Sequence, residues 1–201
     1  MRGVKTILST PVYRDEPHPA CREIVFSERA YKMLLAEAFA NGEKETGGNF
    51  LGQRGDGVYY IVDSTLPGYD AVHEGCFFEM NPRYINYDCR GTARIYDQEL
   101  QLLGFWHRHP GAFNRFSGND DGMNVKYAQA VGEGTLSVLL NFVPEAQLTA
   151  YYYDAAGHSY SPVEWRIDDA LLREKGFLTL AGYTQLKRRA REMEKEMKRW
   201  A

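Results

Sequence analysis

An apolar run at residues 103–106, Leu-Gly-Phe-Trp, ends in the sequence His107-Arg108-His109-Pro110. Its length and composition are those of a short buried strand. Residues i and i+2 of a strand point to the same face, so both imidazoles would reach one ion while Arg108 points away from it. Catalytic zinc sites use three protein ligands and a water molecule. The pattern therefore predicts a strand that carries two metal ligands, and it requires a third ligand elsewhere.

Asp120, eleven residues after His109, is the candidate for the third ligand. It ends the sequence Ser117-Gly118-Asn119-Asp120, which has the form of a capping box at the start of a helix. A capping box would hold the carboxylate at a fixed place beside the preceding loop. Taken alone, Ser117 and Asp120 are explained by helix capping, and a His-x-His pair also occurs without a metal.

The rest of the chain mixes helix and strand patterns without strict alternation. Ser27 is a good N-cap for a helix that runs to about residue 40 and ends at Asn41-Gly42. Two β-prone runs around a Gly/Asp turn, residues 48–52 and 58–62, predict a hairpin. The other predicted elements are a strand pair or arm at 4–13, strands at 75–80, 135–142, 147–153 and 160–167, and helices at 81–102 and 120–131. This order predicts an α/β (α+β) domain with a mixed central β-sheet flanked by helices.

The final segment, residues 168–201, has only helical patterns and is predicted to extend a domain that spans residues 1–167. Its apolar residues, at spacings of four, three, four and three, form one face of a helix: Leu186, Ala190, Met193, Met197 and Trp200. Basic side chains with interspersed glutamates cover the rest. Three interpretations stay open: a helix docked on its own domain, a helix that pairs in a homodimer or with a partner, and a helix that binds an anionic surface.

The composition excludes several kinds of site. Lys and Arg number 24 against 27 Asp and Glu, a net charge of −3, so a nucleic-acid partner is not indicated. The cysteines, Cys21, Cys76 and Cys89, form no Cys-x-x-Cys pair, which argues against a disulfide framework, a cysteine zinc site and the zinc deaminases. Free thiols and the lack of an apolar stretch of roughly 18 residues favour a cytoplasmic protein without a membrane segment.

Two distant parts of the sequence together resemble the JAMM motif of the JAB1/MPN-domain metalloproteases. The first is His107-x-His109, followed after seven residues by Ser117-x-x-Asp120. The second is the upstream segment Glu45-Thr46-Gly47-Gly48-Asn49-Phe50-Leu51-Gly52, which is similar to the segment that carries the family's catalytic glutamate. The similarity covers about residues 24–154. It implies the fold of that family, a single domain with a mixed sheet related to that of the cytidine deaminases.

The resemblance also implies a role for each residue of the motif. A single zinc ion would be bound by His107, His109 and Asp120. Glu45 would act as the general base, and Ser117 would help to hold the oxyanion of the tetrahedral intermediate. Two neighbouring carboxylates, Glu43 and Asp121, do not match the spacing of the motif and are not assigned a role.

One residue departs from the family's pattern. The position between the two histidines is usually Ser or Thr, and here it is Arg108. On a strand this side chain would point away from the metal. We therefore expect the substitution to leave the metal site intact and to change a supporting or substrate contact.

The activity implied by the resemblance is hydrolysis of a peptide or isopeptide bond by metal-activated water, as in a prokaryotic-type JAB peptidase. The implied substrate is ubiquitin or a ubiquitin-like protein, cut after its C-terminal tail during deconjugation or precursor processing. The loops at residues 67–75 and 110–116 flank the motif and are candidates for substrate contact. The alternative is a non-catalytic MPN-type scaffold, which metal content would distinguish. A nucleic-acid-associated relative has only the basic tail in its favour.

Overall fold

The computed structural model describes residues 10–198, in which strands and helices follow one another along the chain. The strands are β1 (Val12–Tyr13), β2 (Glu23–Phe26), β3 (Gly47–Gly55), β4 (Val58–Ser64), β5 (Val72–His73), β6 (Phe78–Glu79), β7 (Gln101–Arg108), β8 (Gly134–Asn141), β9 (Gln147–Asp154), β10 (Ser159–Pro162) and β11 (Glu164–Ile167). The helices are α1 (Glu28–Ala40), α2 (Pro82–Ile95), α3 (Gly118–Val131), α4 (Asp169–Glu174) and α5 (Tyr183–Lys198).

Nine of these strands form one mixed sheet, in the order β1-β10-β9-β8-β7-β3-β4-β2-β11. β7 lies at its centre, antiparallel to β3 and parallel to β8. The indole N–H of Trp165 on β11 donates to the carbonyl oxygen of Leu148 on β9 at 3.2 Å, so the sheet curls until its two halves touch. β5 and β6 form a separate two-stranded sheet. The predicted α/β domain with a mixed central sheet is confirmed.

Helices cover both faces of the curled sheet. On one face, Leu34 of α1 belongs to a buried cluster with Phe50 and Trp106 of the sheet. The next residue of β3, Leu51, points to the other face and belongs to a cluster with Ala93 of α2. The central strand β7 is therefore buried on both sides, and alternate side chains along it enter different environments.

β7 carries one extra residue, which changes the face to which its side chains point. The pairing with β3 jumps between Leu102 and Gly104, so Leu103 has no residue opposite it. Gly104 has a φ of +156°, and a Cβ there would lie 2.1 Å from the carbonyl oxygen of Leu136, so only glycine fits. A bulge of this kind re-aims the side chains on either side of it. Leu102 and Phe105 consequently line the same cavity although they are three residues apart.

The helix predicted over residues 81–102 is shorter than expected. α2 begins after its N-cap Asn81 and ends at Ile95. The next residue, Tyr96, has an extended backbone with a ψ of 150°, and its hydroxyl donates to Asp63 at 2.8 Å. This long-range bond holds Tyr96 in place, and the chain turns into β7 where the helical pattern alone would have continued.

Two further predicted strands differ from the structure. Residues 160–167, predicted as one strand, form β10 beside β9 and β11 beside β2, which hold separate places in the strand order of the curled sheet. Pro162 ends β10 because proline has no N–H to donate to a ladder. Residues 75–80 contribute only β6, which pairs with β5. Of the arm predicted at 4–13, β1 is a strand, and residues 4–9 lie outside the described residues.

The C-terminal helix α5 contacts the end of α2 through Arg189. This side chain is buried. Its guanidinium donates to three backbone carbonyl oxygens, those of Arg94, Tyr96 and Asp97, at 2.6–3.0 Å. The last carbonyls of a helix have no partner within the helix, and a basic group satisfies them. In the structure α5 is thus docked on its own chain.

The docked face of α5 is not the predicted apolar face. Leu186 and Ala190 are exposed, whereas Arg189 is buried. The side chains of Met197 and Trp200 lie outside the described residues. Pairing of this face with a second copy or a partner stays a prediction. Within residues 10–198, no helix is both long and apolar enough to cross a membrane.

Candidate metal centre and active site

The two histidines of the motif lie at the end of β7, and their rings meet. His107 and His109 are both buried, and their Nε2 atoms are 2.8 Å apart. The backbone N–H of His109 donates to the carbonyl oxygen of Leu140 on β8 at 3.0 Å, which extends the parallel ladder past the last strand residue. The strand therefore fixes both imidazoles on one side, as the i, i+2 spacing predicts.

Asp120 reaches the same point from the start of α3. Its Oδ1 lies 3.3 Å from Nε2 of His107, and its Oδ2 lies 3.5 Å from Nε2 of His109. The predicted capping box is present: the Ser117 backbone N–H donates to Oδ2 of Asp120 at 2.7 Å, and the Asp120 N–H donates to Oγ of Ser117 at 3.3 Å. The cap holds the carboxylate against the two rings.

The protonation of this cluster suits a cation. Nδ1 of His109 lies 3.1 Å from the carbonyl oxygen of Phe113, which can only accept, so Nδ1 carries a proton and Nε2 faces Asp120 and His107. Burial alone would lower the pKa of His109, but hydrogen bonds with Asp120 and Phe113 raise it, and a cation that binds Nε2 would take the place of a proton there. Burial lowers the pKa of His107, which favours its neutral form. Burial alone would raise the pKa of Asp120, but hydrogen bonds with His107 and His109 bring it below its usual range, so the group is a carboxylate.

The donor set fits a divalent metal ion such as zinc. The three ligand atoms all lie within 4.8 Å of one another. Zinc bonds of about 2.0–2.1 Å in a tetrahedral site place two ligand atoms about 3.3 Å apart. Each imidazole lies at about this distance from one oxygen of Asp120, His107 from Oδ1 and His109 from Oδ2. For a single oxygen to bind the ion, the carboxylate would turn slightly, and the histidine pair would open by about half an ångström. Two imidazoles and one carboxylate leave the fourth position for water, which is the composition of a catalytic site.

Glu45 lies at the rim of this cluster, between α1 and β3. It is partly buried and lines one cavity together with His107, Ser117 and Asp120. Burial raises the pKa of its carboxyl group, the charge of His109 opposes this, and the charge of Asp120 adds to it. A raised pKa is typical of a carboxylate that exchanges protons with a substrate.

The two neighbouring carboxylates lie elsewhere. Glu43 is exposed and does not line the cavity. Asp121 accepts a hydrogen bond from the hydroxyl of Tyr160 at 2.7 Å and does not line the cavity. The structure therefore brings Glu45 and Asp120 to the cluster and leaves Glu43 and Asp121 outside it.

The chain resembles known proteins in sequence and in fold. A family model described as prokaryotic homologs of the JAB domain matches residues 27–176. The chain belongs to this JAB family. No curated protein matches it. The solution structure of protein DSY2949 from Desulfitobacterium hafniense is similar, with a TM-score of 0.55 and 16% identity over 72% of this chain and 92% of that one. At this identity the likeness concerns the fold alone.

The side chain of Arg108, between the two histidines, connects β7 of this JAB domain with the segment before Glu45. This side chain points away from the two imidazoles, as expected, and is buried. The guanidinium contacts the ring of Phe142, 5.1 Å from its centre, and Nη1 donates to the carbonyl oxygens of Ala38 at 3.4 Å and Lys44 at 3.3 Å. Its backbone N–H donates to the carbonyl oxygen of Thr46 at 2.7 Å. Arg108 therefore holds the backbone on both sides of the proposed general base.

The cavity of this JAB domain has a volume of about 790 Å³. One wall is the β5–β6 hairpin with the first turns of α2, and the other is the start of α3. Of the aromatic residues in the candidate substrate loops, Phe116 packs on the ring of His107 with centroids 5.7 Å apart. Tyr69 and Phe113 are 91% and 79% exposed, so they are available for contact with a protein substrate.

The sequence did not indicate the groups that orient the ligands. Asn141, at the end of β8, donates from Nδ2 to the carbonyl oxygens of Gly111 at 2.9 Å and Phe113 at 2.7 Å. The Phe113 carbonyl in turn orients the ring of His109. Nothing in the local sequence links a residue at the end of β8 with the loop after β7. Only the parallel pairing of the two strands brings them together.

Proposed function

We propose that this JAB-domain protein is a zinc-dependent metallopeptidase or isopeptidase that cuts the bond after the C-terminal tail of a ubiquitin-like protein. The observation that carries this proposal is the convergence of His107, His109 and Asp120 beside one cavity. His107 and Asp120 line that cavity together with Glu45 and Ser117. The JAB family includes metalloproteases and also non-catalytic members. A complete set of ligands with a partly buried glutamate beside it favours a catalytic member.

Zinc held by His107, His109 and Asp120 would supply a polarised water molecule, because metal binding lowers the pKa of water from about 15.7 to about 7. The carboxylate of Glu45 accepts a proton from the attacking water. It then gives that proton to the leaving amine as the carbon–nitrogen bond breaks. The balance is one water consumed, one carboxylic acid and one amine formed, which then exchange a proton to give a carboxylate and an ammonium group, and Glu45 returned to its starting form. The raised pKa of Glu45 supports this exchange.

Ser117 is suited to stabilise the carbonyl oxygen as it gains negative charge. Its Oγ accepts the N–H of Asp120, which leaves the hydroxyl proton for donation. The side chain is exposed and lines the cavity. It also stands at the N-terminus of α3, where the helix dipole favours negative charge.

The site favours a tail in an extended conformation. The cavity opens between the β5–β6 hairpin and α3, and an extended peptide fits such a cleft with few side-chain clashes. The cysteines Cys21, Cys76 and Cys89 are all free, which supports action in the reducing cytoplasm.

The test is hydrolysis of linear fusions. Purified protein is incubated with a panel of ubiquitin-like proteins that carry a C-terminal reporter, with a chelator or after zinc is restored, and its metal content is measured. We expect about one zinc per chain, release of reporter, loss of release with chelator and recovery with zinc. A protein that purifies without zinc and does not gain activity from it would be a scaffold, and the proposal would be wrong.

A further inference from the structure

We propose that the inner end of the cavity is a specificity pocket for a large apolar side chain of the substrate, close to the bond that is cut. This inference rests on the proposed function and names the kind of tail that the site accepts. The end of the cavity beside the metal cluster is polar. The rest of its lining includes the apolar side chains of Phe77, Ile85, Leu102, Phe105 and Met123.

The apolar surface begins directly beside a metal ligand. The ring of Phe105 is stacked on that of His107, with centroids 6.0 Å apart and planes inclined by 18°. The bulge in β7 then adds Leu102 to the same side of the strand. The apolar floor is therefore continuous with the site of bond cleavage.

Three polar groups among these apolar side chains, those of Tyr127, Asn49 and Cys89, bond to one another. The hydroxyl of Tyr127 donates to Oδ1 of Asn49, and Nδ2 of Asn49 donates to Sγ of Cys89 at 3.7 Å. A buried polar group without a partner would have favoured a polar substituent. With these partners in place, an apolar side chain enters the pocket without leaving a hydrogen bond unmade.

The spacing fits a residue two positions from the scissile bond. Successive residues on one side of an extended chain lie about 6.6–6.8 Å apart. The two stacked rings of Phe105 and His107 have nearly that separation, 6.0 Å. A substrate whose carbonyl lies at the metal cluster and which runs in the direction of β7 therefore points its next side chain on that face toward the apolar residues around Phe105.

The size of the cavity also argues for a large side chain. Its volume of about 790 Å³ falls within the range of roughly 300–1,000 Å³ that is usual for pockets that enclose a whole small-molecule ligand. A tail of two glycines has no side chain to fill this space. A leucine, methionine or phenylalanine displaces water from the apolar walls and gains the corresponding free energy.

The test compares hydroxamates, which bind active-site zinc, on the zinc-loaded full-length protein by calorimetry. Acetohydroxamic acid reports the metal site alone, 3-phenylpropanohydroxamic acid adds an apolar group at the required distance, and 3-carbamoylpropanohydroxamic acid adds a polar one. We expect the phenyl compound to bind at least about ten-fold more tightly than acetohydroxamic acid, as apolar pocket contacts typically give. The carbamoyl compound should show no such gain.

Variants of the pocket residues test whether the gain in affinity of the phenyl compound arises in the pocket. Ile85→Asn and Met123→Asn each place an amide in the pocket and should reduce the gain several-fold, with the affinity for acetohydroxamic acid unchanged. Tyr87→Asn is the matched control, because Tyr87 lies on α2 with Ile85, is 56% exposed and does not line the cavity.

The outcomes separate the two proposals. Equal affinity for acetohydroxamic acid and the phenyl compound, or an undiminished gain in both pocket variants, would overturn the specificity pocket and leave the peptidase standing. Failure of the zinc-loaded protein to bind acetohydroxamic acid would overturn the catalytic metal site, and the pocket proposal with it. A linear fusion with Leu in place of Gly two residues before the cleaved bond should also be hydrolysed faster.

Discussion

Two segments carry the proposed catalytic groups on opposite sides of the metal cluster, and they are held in different ways. Residues 117–120 are held by hydrogen bonds within the segment. The side chains of Ser117 and Asp120 each accept the other's backbone N–H, at 3.3 Å and 2.7 Å. Four consecutive residues are sufficient for this geometry, and the start of a helix provides the rest.

Residues 44–46 depend on distant parts of the chain. The backbone N–H of Glu45 donates to the carbonyl oxygen of Glu74 at 2.8 Å. The carbonyl oxygen of Lys44 accepts from Arg108, which is 64 residues away in sequence. Residues 117–120 are therefore fixed by local sequence, and residues 44–46 are fixed by tertiary contacts. The two segments should respond differently to substitution.

The largest effect is expected for Asp120→Ala, which removes the ligand from the locally held segment. Zinc content should fall to near zero and hydrolysis to background, because two neutral imidazoles alone do not make a three-ligand site. Metal analysis and turnover measure this. Asp120→Asn keeps an acceptor for the Ser117 N–H and removes the charge, so it should lose zinc without loss of the helix. Asp121→Asn is the control, and full zinc content in Asp120→Ala would refute the assignment.

Glu45→Gln tests the segment held by tertiary contacts. An amide cannot accept and return a proton, so kcat should fall about 10²–10⁴-fold while zinc content stays at the wild-type level. Glu43→Gln, two residues away and outside the cavity, should have wild-type kcat. Turnover at the wild-type rate in the Glu45 variant would remove this residue from the mechanism.

Ser117→Gly separates the two roles of the cap residue. Loss of the hydroxyl should lower kcat on the order of 10²-fold if it stabilises the oxyanion. Glycine at an N-cap costs only a few tenths of a kcal/mol relative to serine, so the melting temperature should barely change. Ser117→Thr keeps both functions and should restore kcat. A Ser117→Gly variant with normal turnover would reduce Ser117 to a structural cap.

Arg108→Met gives the smallest expected effect on activity and sharpens the contrast between the two segments. Without the bonds to the carbonyls of Ala38 and Lys44, Glu45 is less well placed, and kcat should fall roughly ten-fold with KM and zinc content unchanged. Arg108→Lys keeps a donor and should recover part of kcat. A fall in thermal stability with an unchanged kcat would show that Arg108 supports the fold only.

The elements that sequence predicts well are those whose ends are set locally. Ser27 caps α1, as predicted, by accepting the N–H of Ala30 at 2.9 Å. The capping box of α3 follows from four residues. The predicted end of α2 was wrong, because Tyr96 is held in an extended conformation by its bond to Asp63, 33 residues away. The pattern of residues 160–167 does not show that the two halves pair with strands on different sides of the sheet.

The site shows the same division. The spacing of the histidines on β7 and the cap at Asp120 predict three ligands that meet. The contacts of Arg108 with the segment before Glu45, and of Asn141 with the loop before α3, arise from the pairing of strands and leave no trace in short stretches of sequence. Sequence therefore predicts which groups meet, whereas the neighbours that orient them require the fold.

Arg189 of α5 bonds to one end of α2, and the other end of α2 lines the cavity. Ile85 and Cys89 of α2 form a wall of the cavity, while α5 satisfies the carbonyls at the end of α2 through Arg189. The C-terminal extension thus anchors a helix that forms a wall of the cavity, although none of the described residues of α5 lines the cavity itself.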